Sequence, residues 1–126
     1  MGVYDQILVE PIANVLKSLG SRHVMVVHSA DGLDELSIAD KTFVAELKDG
    51  IVTTYSIHPE ELGFGLGNLN DIKADDAEGS LELIKEALSG QNGTAKDIIS
   101  LNAGAAIYVS GPVSYTHLTL PTILLV

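Results

Sequence analysis

The stretch HVMVVHSADGLDE, from His23 to Glu35, constrains this chain more than any other part of it. Val24, Met25, Val26 and Val27 form a short apolar run rich in β-branched side chains, which suits a strand buried on both faces. The run breaks at Ser29. Ala30, Asp31 and Gly32 read as a turn, and Asp34 and Glu35 follow as adjacent carboxylates where the strand would leave its sheet. In open α/β sheets, ligands bind just outside the carboxyl ends of the strands. Two neighbouring acids there can hold a hard cation, and Mg²⁺ takes only one or two protein carboxylates, completing its shell with water and substrate phosphate. The same two acids would equally suit a helix start, as caps or as complements to its dipole.

Composition sets the bounds within which such a site could work. The 126 residues suffice for one domain or part of one. With 7 basic against 17 acidic side chains the formal charge is -10, which opposes non-specific binding to nucleic acid or to an anionic membrane. A phosphate-rich ligand would therefore need a metal or a local basic patch. The absence of cysteine excludes a disulfide framework and a thiolate metal site. No secretory signal is visible and no stretch approaches the ~20 apolar residues of a membrane span, so the expected location is cytoplasmic.

Before the central strand, Asp5 can cap a helix in which Leu8, Ile12, Val15, Leu16 and Leu19 form one stripe, with Pro11 acceptable only in its first turn and Gly20 closing it. A helix leading into a buried strand is half of a βαβ unit, whose first strand is expected upstream of Met1. After the acidic turn, Asp40 and Lys41 suggest an exposed connection. Phe43 to Leu47 and Ile51 to Ile57 then read as a hairpin turning at Asp49-Gly50, an edge feature more simply than a clamp over the acids. GFGLG, from Gly63 to Gly67, lacks the spacing of a dinucleotide fingerprint and the Lys-Ser/Thr of a P-loop, so it reads as a surface connection. Asp75 and Asp76 open a helix with Leu81, Ile84 and Leu88 on one face. Thr94 and Asp97 match a capping arrangement for a last helix striped by Ile98, Leu101, Ala105 and Val109. The small residues Ala103 to Ala106 in that helix suit close packing against another helix or a further domain. Asn102 reads as a satisfied buried amide. His28, between strand and acids, reads as structural or as supporting the metal ligands from behind; His23 and His58 read as strand-end residues. No nucleophile paired with a base is visible, so no catalytic side chain is assigned.

Pro112 to Val126 contains no Asp, Glu, Lys or Arg, whereas every charged side chain lies before it. PVSYTHLTLPT, Pro112 to Thr122, resembles the translation of a transposase sequencing adapter. Residues 112–126 are therefore expected to be a non-native tail, and residues 1–111 an incomplete α/β domain.

GVYD at Gly2 to Asp5, LKSLGS at Leu16 to Ser21, VVHSADGLDELS at Val26 to Ser37, VAELKDG at Val44 to Gly50, ALSG at Ala87 to Gly90 and LNAGAAIYVSG at Leu101 to Gly111 occur in one order. Together they resemble the C-terminal α/β portion of anthranilate phosphoribosyltransferase, from Gly2 to Gly111. The resemblance implies a partial, mostly parallel sheet with flanking helices and a β-hairpin, truncated from a two-domain phosphoribosyltransferase/nucleoside phosphorylase-like fold. It implies transfer of phosphoribosyl from phosphoribosyl pyrophosphate to the amine of anthranilate in tryptophan biosynthesis, with Mg²⁺ countering pyrophosphate charge. The substrate amine would itself be the nucleophile. The family's paired metal ligands fall on Asp34 and Glu35, with Glu35 serving both metal ions and Asp34 one. Its pyrophosphate loop, its Lys-His-Gly-Asn segment and its anthranilate-binding Arg have no counterpart in this chain. A homodimer through an N-terminal helical domain is likewise implied, with neither nucleic acid nor membrane as partner. A pyrimidine nucleoside phosphorylase would share the architecture, and a non-enzymatic acidic binding module is the alternative outside catalysis.

Overall fold

The computed structural model describes residues 1–111. The adapter-like tail lies outside the described residues. A short 3₁₀ turn, Gln6–Leu8, leads into helix α1, Val9–Ser18; strands β1, His23–Ser29, β2, Thr42–Lys48, and β3, Ile51–Ile57, follow, then helices α2, Ala77–Leu88, and α3, Thr94–Ser110.

The α/β class and the β-hairpin expected from the sequence are present, but β1 joins the hairpin antiparallel where a mostly parallel sheet is expected. The three strands lie in the order β1-β2-β3, and both pairings are antiparallel. The cause is the connection from β1 to β2. A parallel return needs a long crossover, usually a helix, whereas the segment after Ser29 contains no helix and comes back to the end of β1 that it left. Ala30 N donates to the Lys41 carbonyl at 2.9 Å, and Ser29 pairs with Thr42. Parallel pairing survives at one point, on the other side of β1. Val3 N donates to Val27 O at 3.0 Å and Val27 N to Met1 O at 2.9 Å, around the Gly2–Val27 bridge. Met1 to Val3 thus gives β1 a parallel neighbour within the chain, where the sequence places the first strand of the βαβ unit upstream of Met1.

Strand β1 is buried on both faces, as its composition predicts. Val26, with Ala45 of β2, packs on Val9 and Ala13 of α1. Met25 and Val27, with Val44, pack on Ile98 and Leu101 of α3 and on Leu36 and Ile38 of the connection. Asp5 caps the first turn through Ile7 N at 3.0 Å, and Pro11 falls in the first turn of α1, where its missing N–H costs nothing. The helix closes with Gly20 N on Lys17 O and Ser21 N on Leu16 O, both at 3.0 Å. Its buried face is Val9 and Ala13 flanked by Ile12 and Leu16, while Val15 and Leu19 of the expected stripe are exposed. The hairpin turns at Asp49 and Gly50, which both have positive φ, and β3 is the exposed edge.

In α2 the packed row is Gly79, Leu83 and Ala87. Leu81, Ile84 and Leu88, the apolar face read from the sequence, are 48%, 47% and 78% exposed. The cap of α3 is Gly93, and Thr94 is already its first helical residue, with its hydroxyl donating to Asp71 Oδ2 at 3.2 Å. Gly67, last of the GFGLG glycines, donates its N–H to Ile38 O at 2.9 Å and packs against Ile38 and Thr94. Among the described residues no helix is long and apolar enough to cross a membrane.

Candidate functional site

The carboxyl end of β1 runs into a turn whose base is tied by side chains. Asp31 accepts hydrogen bonds from both the Ser29 and the Ser37 hydroxyls, one on each carboxylate oxygen. Ser29 Oγ also receives Leu33 N at 2.9 Å, and Ser29 N donates to Leu33 O at 2.9 Å. Both serines are buried, so these bonds form where water cannot replace them. Asp31 therefore closes the loop from its base, and the chain beyond it is pushed outward as Asp34 and Glu35, both exposed. Leu36, Ser37 and Ile38 then turn back into the core, so of the connection expected to be exposed, Asp40 is exposed and the residues just after Glu35 are buried.

Two further segments brace the acids. On one side the backbone of Gly2 lies against Asp34 so closely that a Cβ on Gly2 would stand 1.5 Å from the Asp34 carbonyl oxygen. On the other side Asn102 of α3 binds the main chain of Leu36, accepting from its N–H and donating to its carbonyl, both at 2.9 Å. Asn102 is thus the satisfied amide that its sequence context suggests. His28 bonds through Nδ1 to the Val3 carbonyl at 2.8 Å, which holds the N-terminal segment against β1 and gives this histidine a structural role.

The acids border a cleft of about 210 Å³ that also touches Gly2, Met25, Val27 and Asn102. The Glu35 carboxyl is pushed above its ordinary value by partial desolvation, then by the neighbouring charges of Asp34 and Asp31. A cation placed between Asp34 and Glu35 would relieve that repulsion. Among the described residues no three His, Asp or Glu side chains converge to hold a metal unaided. A pair of carboxylates completed by water and phosphate still fits Mg²⁺, which rarely has an all-protein cage.

A larger cleft, about 560 Å³, opens at the amino end of β1 beside Arg22, His23, Lys48 and Tyr108. It lies at the wrong end of the strand for the usual ligand position. The buried acid nearby, Glu46, is fully engaged: it accepts from Tyr55 Oη at 2.6 Å, His23 Nε2 at 2.7 Å and Tyr108 Oη at 2.8 Å. This network joins β1, β2, β3 and the last turns of α3, and it is structural.

Fold and site together define an α/β domain with an outward acidic turn at a strand's carboxyl end. The family model described as "Glycosyl transferase family, a/b domain" matches residues 1–120, and the chain belongs to that family. The match runs past Gly111 into the segment that resembles an adapter. Anthranilate phosphoribosyltransferase of Ruthia magnifica is 68% identical over 111 residues, which are 88% of this chain and 33% of that protein. The enzyme of the same name from Marinomonas sp. is 59% identical over 113 residues, again 33% of its length. The chain spans about a third of the length of these curated relatives. Among solved structures, the anthranilate phosphoribosyltransferase of Thermus thermophilus superposes with a TM-score of 0.80 at 30% identity, covering 98% of this chain and 35% of that one. The Saccharomyces cerevisiae enzyme, solved with PRPP and Mg, gives 0.76 at 23% identity over 98% and 35% of the two chains, a likeness of fold.

Proposed function

We propose that this chain is the C-terminal α/β portion of an anthranilate phosphoribosyltransferase, and that in the whole enzyme Asp34 and Glu35 bind Mg²⁺ for transfer of phosphoribosyl from phosphoribosyl pyrophosphate to anthranilate. The observation that carries this reading is the braced acidic turn: two adjacent carboxylates are held outward at the carboxyl end of β1, beside a cleft. The names of relatives up to 68% identical, and the Mg and PRPP bound to the yeast enzyme, support it. Bound Mg²⁺ would neutralise the charge developing on a pyrophosphate leaving group. This chain's own part is to present two carboxylates in fixed geometry. Asp31 ties the loop base, Gly2 seats Asp34 and Asn102 grips Leu36. The donor ribose and the acceptor amine would be bound by other parts of the longer protein, so the chain alone is expected to be inactive. The whole enzyme is read as cytoplasmic and homodimeric, with small-molecule substrates only.

The test is turnover against Mg²⁺ concentration in the full-length enzyme carrying this segment. Glu35→Gln, expected to touch both metal ions, should lose ~10²-fold or more in turnover, and Asp34→Asn should lose less. Near-parental turnover and Mg²⁺ dependence in both variants would overturn the assignment.

A further inference from the structure

We infer that Asn102 is a positioning residue for the Asp34–Glu35 pair, setting its cation affinity from helix α3; this rests on the reading of that pair as Mg²⁺ ligands. Leu36 follows Glu35 directly, and both of its backbone polar groups are taken by Asn102. Leu36 N–H donates to Oδ1 at 2.9 Å, and Nδ2 donates to the Leu36 carbonyl at 2.9 Å. The remaining Nδ2 proton goes to the Ile98 carbonyl at 3.0 Å, which fixes the amide on its own helix. Both donors and one acceptor site of the side chain are therefore committed, leaving little freedom for its plane to turn.

The contact spans 66 residues of sequence, so no local helical habit explains it. The Leu36 side chain is buried between Ile98, Leu101 and Met25 in the same core cluster. The main chain just beyond Glu35 is thus held by two hydrogen bonds and by packing, while Asp31 and Gly2 hold the approach to Asp34. A pair of carboxylates on a free turn would lose conformational entropy on chelation, and one on a held turn has already lost it. Removing the Asn102 amide leaves both carboxylates in place and returns that freedom to the turn, so the loss falls on cation affinity.

The experiment uses the full-length enzyme carrying this segment. Asn102→Leu keeps the branched outline of the side chain, though it is bulkier, and removes all three hydrogen bonds. The half-saturating Mg²⁺ concentration should rise about tenfold or more, the range seen when a partner behind a metal ligand is lost. Turnover at saturating Mg²⁺ should return towards the parent's, with the anthranilate KM unmoved. The Mn²⁺ dissociation constant, measured by electron paramagnetic resonance without substrate, should shift by the same factor. An unchanged Mg²⁺ dependence and Mn²⁺ constant in folded Asn102→Leu overturns the inference. Glu35→Gln in the same assays separates the two ideas: if it shifts both readouts while Asn102→Leu shifts neither, the positioning role alone fails. If Glu35→Gln also shifts neither, the metal reading fails with it. Should Asn102→Leu not fold, hydrogen exchange on the unmodified enzyme carries the test. Mg²⁺ must then slow exchange of the Leu36 amide, and an amide indifferent to Mg²⁺ overturns the proposal.

Discussion

A methyl group on Gly2 would stand 1.5 Å from the carbonyl oxygen of Asp34, so the start of the chain and the acidic turn occupy one tight contact. Gly2→Ala cannot be absorbed by a side-chain rotation, because the atom it meets is backbone. Either the Met1–Val3 segment lifts from Val27, losing two main-chain hydrogen bonds, or the turn moves. Overpacking of this kind costs about 1–3 kcal/mol. Thermal unfolding of the variant should show that loss, and hydrogen exchange should show faster exchange at Val3 and Val27. Parental stability together with parental exchange at both amides would remove Gly2 from the account.

Glu35 carries a stability cost that a metal would reverse. Partial desolvation, then Asp34, then Asp31 raise its carboxyl above the ordinary value. A carboxyl raised in the folded state contributes stability that is fully present below its unfolded pKa and is lost as pH rises through the folded one. At neutral pH without metal, ionised Glu35 therefore works against folding. Glu35→Gln should raise the Tm of the chain in chelator at neutral pH, and the gain should vanish in acid, below the unfolded carboxylate range. Saturating Mg²⁺ in the full-length enzyme should reverse the ranking. A variant less stable than the parent in chelator at neutral pH contradicts this sign.

How far these relationships can be read from the sequence depends on their range along the chain. Both buried faces of β1, the Asp49-Gly50 hairpin and the outward acids follow from short runs and local turn chemistry. The antiparallel pairing of β1 with β2 does not, because nothing between Ala30 and Lys41 states that the excursion returns to the edge it left. Met1 to Val3 is too short for any periodicity to mark it as a strand. In α2 the apolar stripe Leu81, Ile84 and Leu88 carries the stronger pattern, yet the row Gly79, Leu83 and Ala87 is the one covered, and α2's own periodicity does not say which of the two rows meets α3. The turn was legible as a turn, but its tie was not. Ser29 and Ser37 have no local signal, and the partner of Leu36 lies two helices away at Asn102.

Asp31 has a larger role than that of a turn residue, for which an amide would cost at most about 1 kcal/mol. Both of its oxygens accept, from the Ser29 and Ser37 hydroxyls. An asparagine supplies one acceptor and one donor, and a donor aimed at Ser37 Oγ would compete with Ala39 N, which already binds that oxygen at 3.0 Å. Asp31→Asn should therefore cost about 1–3 kcal/mol, the penalty for a buried hydrogen-bonding group left mismatched. In the full-length enzyme it should also weaken Mg²⁺ dependence less than Glu35→Gln does. Unfolding curves with and without Mg²⁺ check both statements. A cost below 0.5 kcal/mol, roughly the range of neutral surface changes, would return Asp31 to an ordinary turn position.

Glu46 should control the acid stability of the fold. It is 8% exposed, and burial alone would raise its carboxyl, but hydrogen bonds from Tyr55, His23 and Tyr108, with the charge of His23, outweigh burial and bring it below the ordinary value. A carboxyl lowered in the folded state contributes stability that is present above its unfolded pKa and lost as pH falls through the folded one. The same carboxylate raises the Tyr55 and Tyr108 hydroxyls above their usual range, after desolvation, so both remain donors at neutral pH. Glu46→Gln keeps the shape but supplies a single acceptor oxygen to three donors, at a cost of about 1–3 kcal/mol for lost charged hydrogen bonds. Because Tyr108 lies near the end of α3 and His23 opens β1, the damage should begin there, with faster hydrogen exchange in the last turns of α3. The difference in Tm between parent and variant should be largest at neutral pH and should close as pH falls below the unfolded carboxylate range. A difference that stays constant across that range would mean that Glu46 acts through packing and not through its charge.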